Sequence, residues 1–572
     1  MVYSEMAFAL HNTPFSARRV VWPRTRSHVR RCAIIPHHDH AILGLERQYR
    51  DGQISRRAFV RAVAAATGAV TFGGSTRAAL AAADRRADRL DHLASPRRGG
   101  TLKAGLTGQP DQLDPATSSI YTAAQIYDNI FDKLVVLDQN GGFLPSLATK
   151  WRQLDAKTWE FHLVQNAIFH NGDPMTANDV RYTFQRILDP KTAGAYTPLF
   201  DSIATVQVVD KYTVRFHLKR PFGPFLTNLA ANGEIMNERA VTSLDPKRHP
   251  IGTGPFKFKE WVSSDHVTLE RWPHYFQSDR PYLDTLVFRG TPVDESRLAA
   301  LQSGELDWVD AVPLQDVGRL RNSKNPVFIA GRYGLPDFLT FVVDKPPFNN
   351  KKLRQAVAWA IDKRAILAVA YFGVGEVGSQ EVPTSSLWYT PNDPYRSGPN
   401  LDKARSLLKE AGYPNGLTIE YLGLPQYPEL LKTGEVVKEQ LAQIGITMNI
   451  KQLEVTVWGD RLVKKQYQIT SAYQERTIDP DNFYSLLLTR DAALNYTGFN
   501  NPRFDALVQQ AKSTSDIATR KKIYAKVREI MFDEVPNIFV HYETFNYAMT
   551  PRVHGSQMLP SLELRFKDVW LG

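Results

Sequence analysis

A glycine-rich segment is the first candidate for chemistry in this sequence. Residues 373–378 read Gly-Val-Gly-Glu-Val-Gly, which matches the G-x-G-x-x-G spacing that holds the pyrophosphate of a dinucleotide. That chemistry requires a strand before the glycines and the amino terminus of a helix after them. Here a predicted helix, Lys351–Tyr371, precedes the segment, and residues 379–383 (Ser-Gln-Glu-Val-Pro) follow it. We therefore interpret the segment as a glycine-rich loop at the mouth of a cleft, without a nucleotide cofactor.

A second candidate is the run His37-His38-Asp39-His40, whose side chains are of the types that bind metal ions. It lies in a poorly patterned region ahead of an export signal, so we expect it to be removed with the leader. No metal site and no cofactor are expected in the mature protein.

Patterns of catalytic residues are scarce. The sequence contains no H-E-x-x-H, no G-x-S-x-G, no Walker loop and no clustered Cys/His ligand set. A serine, a histidine and an acid can still converge in space, so an exported hydrolase stays an alternative. The residues favour a protein that is not an enzyme.

Residues 55–60 read Ser-Arg-Arg-Ala-Phe-Val and are followed by an uncharged stretch rich in alanine and glycine, residues 62–76. Residues 79–83 then read Ala-Leu-Ala-Ala-Ala. A positive segment, a weakly apolar segment and small residues in this order are typical of a cleaved export signal. The arginine pair resembles the twin-arginine signal of folded exported proteins. We expect cleavage near Ala81–Ala83, a twin-arginine translocase as the export partner and a periplasmic mature protein.

The leader carries most of the positive charge. Residues 1–83 have 12 Arg and 4 acidic residues, which gives +8 of the +11 of the whole chain and leaves +3 for residues 84–572. A nucleic-acid partner is therefore not expected. The single cysteine, Cys32, also precedes the signal, so we expect no disulfide afterwards. Nothing after the signal approaches 18 consecutive apolar residues, which predicts a soluble mature protein.

After a charged tether, residues 84–98, short predicted strands alternate with amphipathic helices. The folded region is predicted to begin at Gly99–Leu106, where the alternation of residue types is typical of a strand. Leu401–Ala411, for example, has apolar residues at helical spacing and a stop at Gly412. No internal repeat or low-complexity linker divides the region, which indicates interleaved domains.

Several short motifs occur in a characteristic order between Gly99 and Tyr547. They are residues 113–116 (Leu-Asp-Pro-Ala), 144–148 (Leu-Pro-Ser-Leu-Ala), 169–174 (Phe-His-Asn-Gly-Asp-Pro), 176–180 (Thr-Ala-Asn-Asp-Val), 251–256 (Ile-Gly-Thr-Gly-Pro-Phe), 297–305, 354–362 and 479–483 (Asp-Pro-Asp-Asn-Phe). With these motifs the span resembles the peptide, nickel and opine class (family 5) of extracytoplasmic solute-binding proteins of ATP-driven importers. We interpret most of them as scaffold, since Asn171-Gly172 suits a tight turn and Thr176–Asp179 suits a helix cap.

The resemblance implies an α/β fold of the periplasmic binding protein-like type II class, with two hinged lobes and an extra subdomain inserted in lobe I. The boundaries expected on this basis are a leader at 1–83, a tether at 84–98, lobe I at 99–140, the inserted subdomain at 141–248, lobe I again at 249–332, lobe II at 333–535 and a return to lobe I at 536–572.

The resemblance also implies where a ligand binds. In relatives that import peptides, a tryptophan and, three residues later, an aspartate precede an acidic-Pro step, and the aspartate pairs with the peptide amino terminus. The matching positions here are Tyr473 and Arg476. Arg476 reverses the charge and favours a carboxylate or phosphate. If the register shifts by one residue, Glu475 takes the aspartate's place, which keeps peptides as the alternative.

Four further ligand contacts are predicted by position. Trp458 matches another tryptophan that flanks the ligand, and with Tyr473 it can form a wall that stacks on a flat group; ordinary core packing is the alternative for both. Ser118, Ser119 and Tyr121 follow the turn at residues 113–115, where relatives contact the ligand. One departure from the family is Val342, where asparagine is usual.

We therefore expect a monomeric periplasmic receptor that closes on a small polar organic solute with an anionic group and delivers it to a membrane permease and its ATPase. Peptide-, opine- and sugar-phosphate-like solutes fit this expectation, and a conventional di- or oligopeptide-binding protein is the alternative.

Replacing both Arg56 and Arg57 with Lys keeps the charge and removes the guanidinium pair. We expect this double variant to accumulate as a folded precursor in the cytoplasm, as measured by cell fractionation and immunoblotting. The matched control replaces another arginine pair ahead of the signal, Arg30 and Arg31, with Lys and should be exported normally. Normal periplasmic amounts of the first variant would contradict the twin-arginine interpretation.

Overall fold

The computed structural model describes residue 62 and residues 96–572, apart from 139–140, 330–333, 475–476, 558 and 560. The predicted arginine pair, the cleavage region and almost all of the tether lie outside the described residues. Pro96–Gly572 groups into one unit by its internal contacts. Within the described part of the chain, no helix is long and apolar enough to cross a bilayer.

The strands are short and evenly spread along the chain. In order they are β1 (Thr101–Leu106), β2 (Val135–Leu137), β3 (Phe143–Pro145), β4 (Ala148–Asp155), β5 (Thr158–Leu163), β6 (Ile203–Asp210), β7 (Thr213–Leu218), β8 (Phe256–Val262), β9 (His266–Arg271), β10 (Thr285–Gly290), β11 (Trp308–Val309), β12 (Val327–Ile329), β13 (Gly334–Phe341), β14 (Glu376–Val377), β15 (Leu417–Gly423), β16 (Ile446–Gln452), β17 (Ile469–Tyr473), β18 (Asn537–Thr544), β19 (Tyr547–Met549), β20 (Val553–His554) and β21 (Trp570–Leu571).

The helices fall between them, and most of the longer ones follow residue 350. In order they are α1 (Tyr121–Tyr127), α2 (Ala177–Leu188), α3 (Thr197–Phe200), α4 (Phe225–Asn232), α5 (Glu238–Ser243), α6 (Asp294–Ser303), α7 (Leu314–Leu320), α8 (Lys351–Ala360), α9 (Lys363–Ala370), α10 (Leu401–Glu410), α11 (Pro428–Ala442), α12 (Val455–Val463), α13 (Pro480–Leu487), α14 (Pro502–Lys512) and α15 (Ile517–Glu534).

The first large sheet, the centre of lobe I, has the strand order β12-β19-β11-β1-β10-β9-β8. The central strand β1 is parallel to β10 and β11. Its residues Leu102, Ala104 and Leu106 are buried, whereas Thr101 and Lys103 are exposed. This alternation follows from the two-residue period of a strand, and it agrees with the predicted start of order in this run.

The second large sheet, the centre of lobe II, has the order β14-β18-β13-β17-β15-β16. Helices cover both of its faces. On β18, Ile538 and Val540 pack with a core formed by α8 to α11, while Phe539 packs with a second core formed by α13 to α15. Lobe II is therefore a three-layer α/β/α unit.

The chain passes between the two sheets twice. It leaves β12 for β13 through residues 330–333 and returns from β18 to β19 through Phe545 and Asn546. Because β12 pairs with β19 and β13 pairs with β18, the strands that flank the two crossings are neighbours in both sheets. The predicted return to lobe I at residue 536 is corrected, because Asn537–Thr544 is hydrogen bonded into the second sheet and the return comes one strand later.

Residues within the predicted insertion form a separate antiparallel sheet with the order β4-β5-β7-β6. Phe216 of β7 lies edge-on to Phe161 of β5 and Phe184 of α2, with ring centroids 5.5 and 5.0 Å apart. Helix α2 begins with the predicted cap, in which Thr176 and Asp179 exchange side-chain-to-backbone hydrogen bonds.

Two family motifs hold each other in place. The His170 Nε2–H donates to the Gly254 carbonyl oxygen at 3.0 Å, and the Gly252 N–H donates to His170 Nδ1 at 3.4 Å. Burial lowers the pKa of His170 to about 4, so the ring is neutral at physiological pH. A Cβ atom on Gly252 would lie 2.0 Å from the carbonyl oxygen of Ile130. This position therefore accepts only glycine.

The predicted helix Lys351–Tyr371 is two helices. Asp362 accepts hydrogen bonds from the N–H groups of Arg364 and Ala365 at 2.9 and 3.2 Å, so it caps a new helix, α9, and ends α8. The glycine-rich segment that follows is only partly a loop, because Glu376–Val377 pairs with β18 at the edge of the second sheet.

Candidate functional site

A cavity of about 150 Å³ lies between the inserted subdomain and lobe II. Both sides contribute to its walls, and most of the contributing side chains are apolar. The lining residues are Leu137, Gly141, Phe143, Trp159, Gly223, Leu226, Thr227 and Leu562 on the lobe I side, and Leu335, Pro383, Ser386, Leu387, Trp388, Thr477, Ile478, Ser515, Ile517 and Arg520 on the lobe II side.

Trp159 is the largest side chain of the lobe I wall. It lies on β5, where its ring packs near Phe161 and Phe225 with centroids 6.4 and 6.1 Å away. The residue is 7% exposed, and its ring Nε1–H has no hydrogen-bond partner among the described residues. A buried donor without a partner is unusual in native proteins, and this atom is itself inaccessible to solvent.

Arg520 is the charged residue of the lobe II wall. Its guanidinium pairs with both carboxylate oxygens of Asp479, at 2.6 and 2.7 Å, and donates to the hydroxyl of Tyr524 at 3.0 Å. Burial opposes the charge, but the Asp479 carboxylate raises the pKa of Arg520 overall. The guanidinium also lies 4.7 Å from the ring centroid of Trp388. Because Asp479 neutralises it, Arg520 presents no net charge to the cavity.

Trp388 and Leu387 belong to an irregular segment, residues 381–390, that two buried contacts hold in place. Glu381 forms a buried ion pair with Arg528 and accepts a hydrogen bond from Tyr484 at 2.6 Å. Just before the segment, the Gln380 N–H donates to the hydroxyl of Tyr542 at 2.9 Å. These contacts fix the position of a wall that has no helix or strand of its own.

Thr477 and Ile478 line the cavity from the segment between β17 and α13. The Thr477 hydroxyl has no hydrogen-bond partner within the part of the chain that the structure describes. Ile478 packs against the hydrophobic core of lobe I, so this segment spans the gap between the lobes.

A small polar cavity adjoins the first one and shares Ile478 and Leu562 with it. The buried ammonium of Lys133 lies 3.1 Å from carboxylate oxygens of Asp128 and Glu234 and also hydrogen bonds to Glu563. Burial raises the pKa of Asp128 well above its usual value, although Lys133 opposes the rise. The charged groups of this cluster pair with one another inside lobe I. We therefore interpret the cluster as part of the interior of lobe I.

No group of three or more His, Cys, Asp or Glu side chains in the described residues could hold a metal ion. The glycine-rich segment, residues 373–378, does not line the main cavity.

The residues predicted from the turn at 113–115 do not form one surface. Ser118 is buried, and its hydroxyl donates a hydrogen bond to the Asp111 carboxylate at 2.7 Å. The hydroxyl proton is therefore already engaged within the same loop. Ser119 is exposed. Tyr121 stacks on Phe545, at the second crossing between the sheets, with ring centroids 5.7 Å apart, and it lines the small polar cavity.

Trp458 and Tyr473 lie away from the lining of the main cavity. The Trp458 Nε1–H donates to Thr470 Oγ1 at 3.0 Å, and the ring packs in a core with Leu422 and Leu462. Tyr473 ends β17 and lies near Tyr427, with centroids 6.1 Å apart. Trp458 is buried in this core, and Tyr473 is half-buried beside it.

Glu475 and Arg476 lie outside the described residues. In the sequence they directly precede Thr477 and Ile478, which line the cavity. The other lining residues, among them Trp159, Leu226 and Arg520, were not predicted. They come from distant segments with no shared motif, so no pattern in the sequence connects them.

The inserted subdomain and lobe II touch beside the cavity. The Gly223 N–H donates to the carbonyl oxygen of Lys512 at 2.7 Å, and Ser515 hydrogen bonds to Gln153. A Cβ atom on Gly223 would lie 2.1 Å from the carbonyl oxygen of Thr514, so this backbone approach requires glycine. The contact closes one side of the cavity.

Comparison with known proteins gives one family match. The family described as bacterial extracellular solute-binding proteins, family 5 (middle), matches residues 142–495. A curated relative is the glutathione-binding protein GsiB of Pectobacterium atrosepticum, 26% identical over 472 residues that cover 80% of this chain and 91% of the relative.

Two solved structures are similar across nearly their whole length. DppA from Helicobacter pylori in complex with the peptide STSA is 28% identical with a TM-score of 0.68, covering 83% of this chain and 98% of that one. AgaA from A. tumefaciens R10 in complex with agropinic acid is 27% identical with a TM-score of 0.68, covering 83% and 99%. These matches confirm the predicted two-lobed type II fold.

Replacing Gly223 with Ala should hold the inserted subdomain away from lobe II, since the new Cβ would overlap the Thr514 carbonyl oxygen. We expect a larger radius of gyration in small-angle X-ray scattering. The control is Gly318→Ala on α7, where a Cβ would meet nothing within 4 Å. An unchanged radius in the Gly223 variant would show that this contact does not control closure.

Proposed function

Because the chain belongs to family 5 of the bacterial extracellular solute-binding proteins, we propose that it is the solute-binding component of an ATP-driven importer. It captures a small organic solute between its lobes and delivers it to an inner-membrane permease and ATPase. The observation that carries this proposal is the cavity of about 150 Å³ whose walls come from both the inserted subdomain and lobe II. The family consists of solute-binding proteins rather than enzymes.

Closure follows from the topology. Paired strands flank the two crossings that join the lobes, and the backbone contact between Gly223 and Lys512 joins the lobes at a second place, beside the cavity. A solute that touches both walls binds the closed arrangement more tightly than the open one and so shifts the equilibrium toward it. The permease can then distinguish loaded from empty protein by shape.

The solute class is proposed from the relatives together with the sequence. GsiB is named for glutathione, and the DppA and AgaA structures contain a peptide and agropinic acid. We propose a peptide-like or opine-like solute with an anionic group that Arg476 recognises; a conventional peptide with its ammonium on Glu475 is the alternative.

The cellular location is proposed from the export signal in the leader, residues 1–83. Export through the twin-arginine translocase, with cleavage near Ala81–Ala83, would put a monomeric mature protein in the periplasm beside its permease.

The proposed function is tested by incubating the mature protein with a mixture of peptides, glutathione and opines and then recording thermal unfolding and native mass spectra. We expect a few compounds to raise the unfolding temperature and to be released with unchanged mass, since a ligand at 100 times its Kd stabilises the folded state by about 2.7 kcal/mol. Release of hydrolysed products would support an exported hydrolase instead.

Arg476→Ala should weaken binding of a captured anionic solute by about 1.5–3 kcal/mol, the range for hydrogen bonds to charged groups, and Arg476→Asp should abolish it. Isothermal titration calorimetry measures both. Arg319→Ala, which removes an exposed arginine on α7, is the matched control. If Arg476→Ala has no effect while Glu475→Ala loses binding, the solute presents an ammonium and the anionic proposal is wrong.

A further inference from the structure

We propose that Asp337, His541 and the backbone of Val374 form a proton-dependent latch, which holds the glycine-rich segment, residues 373–378, to lobe II and releases it as the pH rises above neutrality. The spacing of the glycines resembles a dinucleotide motif, yet the segment does not line the main cavity. The latch lies in the interior of lobe II, and the inference does not depend on the proposed function.

The two ring nitrogens of His541 contact different partners. His541 lies on β18 directly across from Asp337 on β13. Nδ1 lies 2.6 Å from a carboxylate oxygen of Asp337, and Nε2 lies 2.8 Å from the carbonyl oxygen of Val374. The ring also stacks on Tyr371 at the end of α9, with centroids 3.6 Å apart. The side chains of His541 and Asp337 are only 1% and 3% exposed, so these contacts form away from water.

These partners determine how many protons the His541–Asp337 pair holds. A carbonyl oxygen can only accept a hydrogen bond, so Nε2 must carry a proton toward Val374. Nδ1 and a carboxylate oxygen 2.6 Å apart need a second proton between them, because two acceptors do not approach so closely. Burial raises the pKa of Asp337. Whether the second proton lies on the ring or on Asp337, the pair holds one proton more than a neutral imidazole and an ionised carboxylate.

The glycine-rich segment is fitted closely around His541. Val377 pairs with His541 where β14 joins the second sheet. A Cβ atom on Gly375 would overlap His541 Nε2 and the carbonyl oxygen of Tyr542, and a Cβ atom on Gly378 would lie 2.5 Å from the backbone nitrogen of His541. The glycines therefore provide the room for the backbone to approach this histidine, which gives their spacing a role other than phosphate binding.

Loss of the shared proton breaks one of the two contacts of the ring. A neutral ring has one N–H, which can face either Asp337 or Val374, and the other nitrogen then directs a lone pair at an acceptor. A hydrogen bond to a carboxylate is the stronger of the two, so we expect Val374 to lose its donor. At the other end of the segment, Lys363 donates to the carbonyl oxygen of Gly378 at 3.0 Å. The segment therefore opens from the Val374 end.

The other ionisable groups that face the pair come from the end of α9 and from α11. Burial raises the pKa of Tyr371 well above its usual value, and the Thr433 hydroxyl donates to the Tyr371 hydroxyl at 3.4 Å. Burial also raises the pKa of Glu429 on α11, and the Asp337 carboxylate adds to this rise. Tyr371 stays neutral at physiological pH, so Glu429 is the group that an experiment must separate from the pair.

The latch is tested by hydrogen–deuterium exchange and mass spectrometry on the purified protein from pH 5 to 9, corrected for the intrinsic pH dependence of exchange. A histidine exposed to water titrates near pH 6.5, so above about this pH the open segment holds one proton fewer than the closed segment. We expect the opening equilibrium constant of peptides within residues 371–378 to rise by up to tenfold per pH unit above neutrality. Peptides within residues 384–390, beyond the ion pair of Glu381 with Arg528, should not change.

Asp337→Asn separates the latch from general effects of pH. The amide keeps the shape of the carboxylate and donates its own N–H to Nδ1, so the ring is neutral and Nε2 still donates to Val374. We expect a level opening constant from pH 7 to 9 and a rise below about pH 6.5, because the open ring then binds a proton that the closed ring does not. The matched control is Asp265→Asn, since Asp265 lies 2.8 Å from His266 Nδ1 in a partly exposed pair, and it should keep the wild-type profile.

Two further measurements complete the test. Glu429→Gln should also keep the wild-type rise above neutrality. The ¹H NMR spectrum of the wild-type protein should contain a strongly downfield imidazole proton that is missing from Asp337→Asn, which reports the shared proton without any opening of the segment. The inference is wrong if wild type and Asp337→Asn show the same pH profile, if Glu429→Gln removes the rise, or if the downfield proton is absent from the wild type.

Discussion

The pairing of strands on both sides of the junction between the two large sheets is the constraint on which the cleft depends. The strands that flank the two passages of the chain are paired, β12 with β19 in lobe I and β13 with β18 in lobe II. In the proposed closure, the lobes rotate about this junction, and the backbone approach of Gly223 to Lys512 forms as they come together.

Buried ion pairs hold the lobe II wall in position for this rotation. Arg528 with Glu381 and Arg520 with Asp479 are nearly inaccessible to water. Such pairs gain little net stability, because removing two charges from water is costly. Their use here is geometric, since both arginines lie on α15 and connect it to the segments that contain Glu381 and Asp479 in the lobe II wall. An irregular segment such as residues 381–390 can then behave as a rigid wall.

The sequence predicted the fold better than the site. Family motifs such as residues 169–174 and 251–256 occur at fixed positions because they contact each other through His170 and Gly254, and this made the two-lobed architecture recognisable. The predicted helix Lys351–Tyr371 was wrong in one respect, since its apolar spacing continues across a cap at Asp362. Trp159 and Trp388 line one cavity only after distant segments of the chain have folded together. A pattern within one stretch of sequence cannot predict a contact between residues so far apart in the chain.

The inserted subdomain has a strand order and side-chain contacts of its own, yet it supplies Phe143, Trp159 and Leu226 to the cavity. The crossings between the lobes lie elsewhere in the chain. On the proposed function, substitutions at these lining positions would change the solute that is recognised while the strands flanking the two crossings stay the same; Gly223, in the same insertion, is the exception because it makes the backbone contact with Lys512. A lineage adapting to a new nutrient could then diversify a few positions of one inserted unit and inherit the junction of the lobes unchanged.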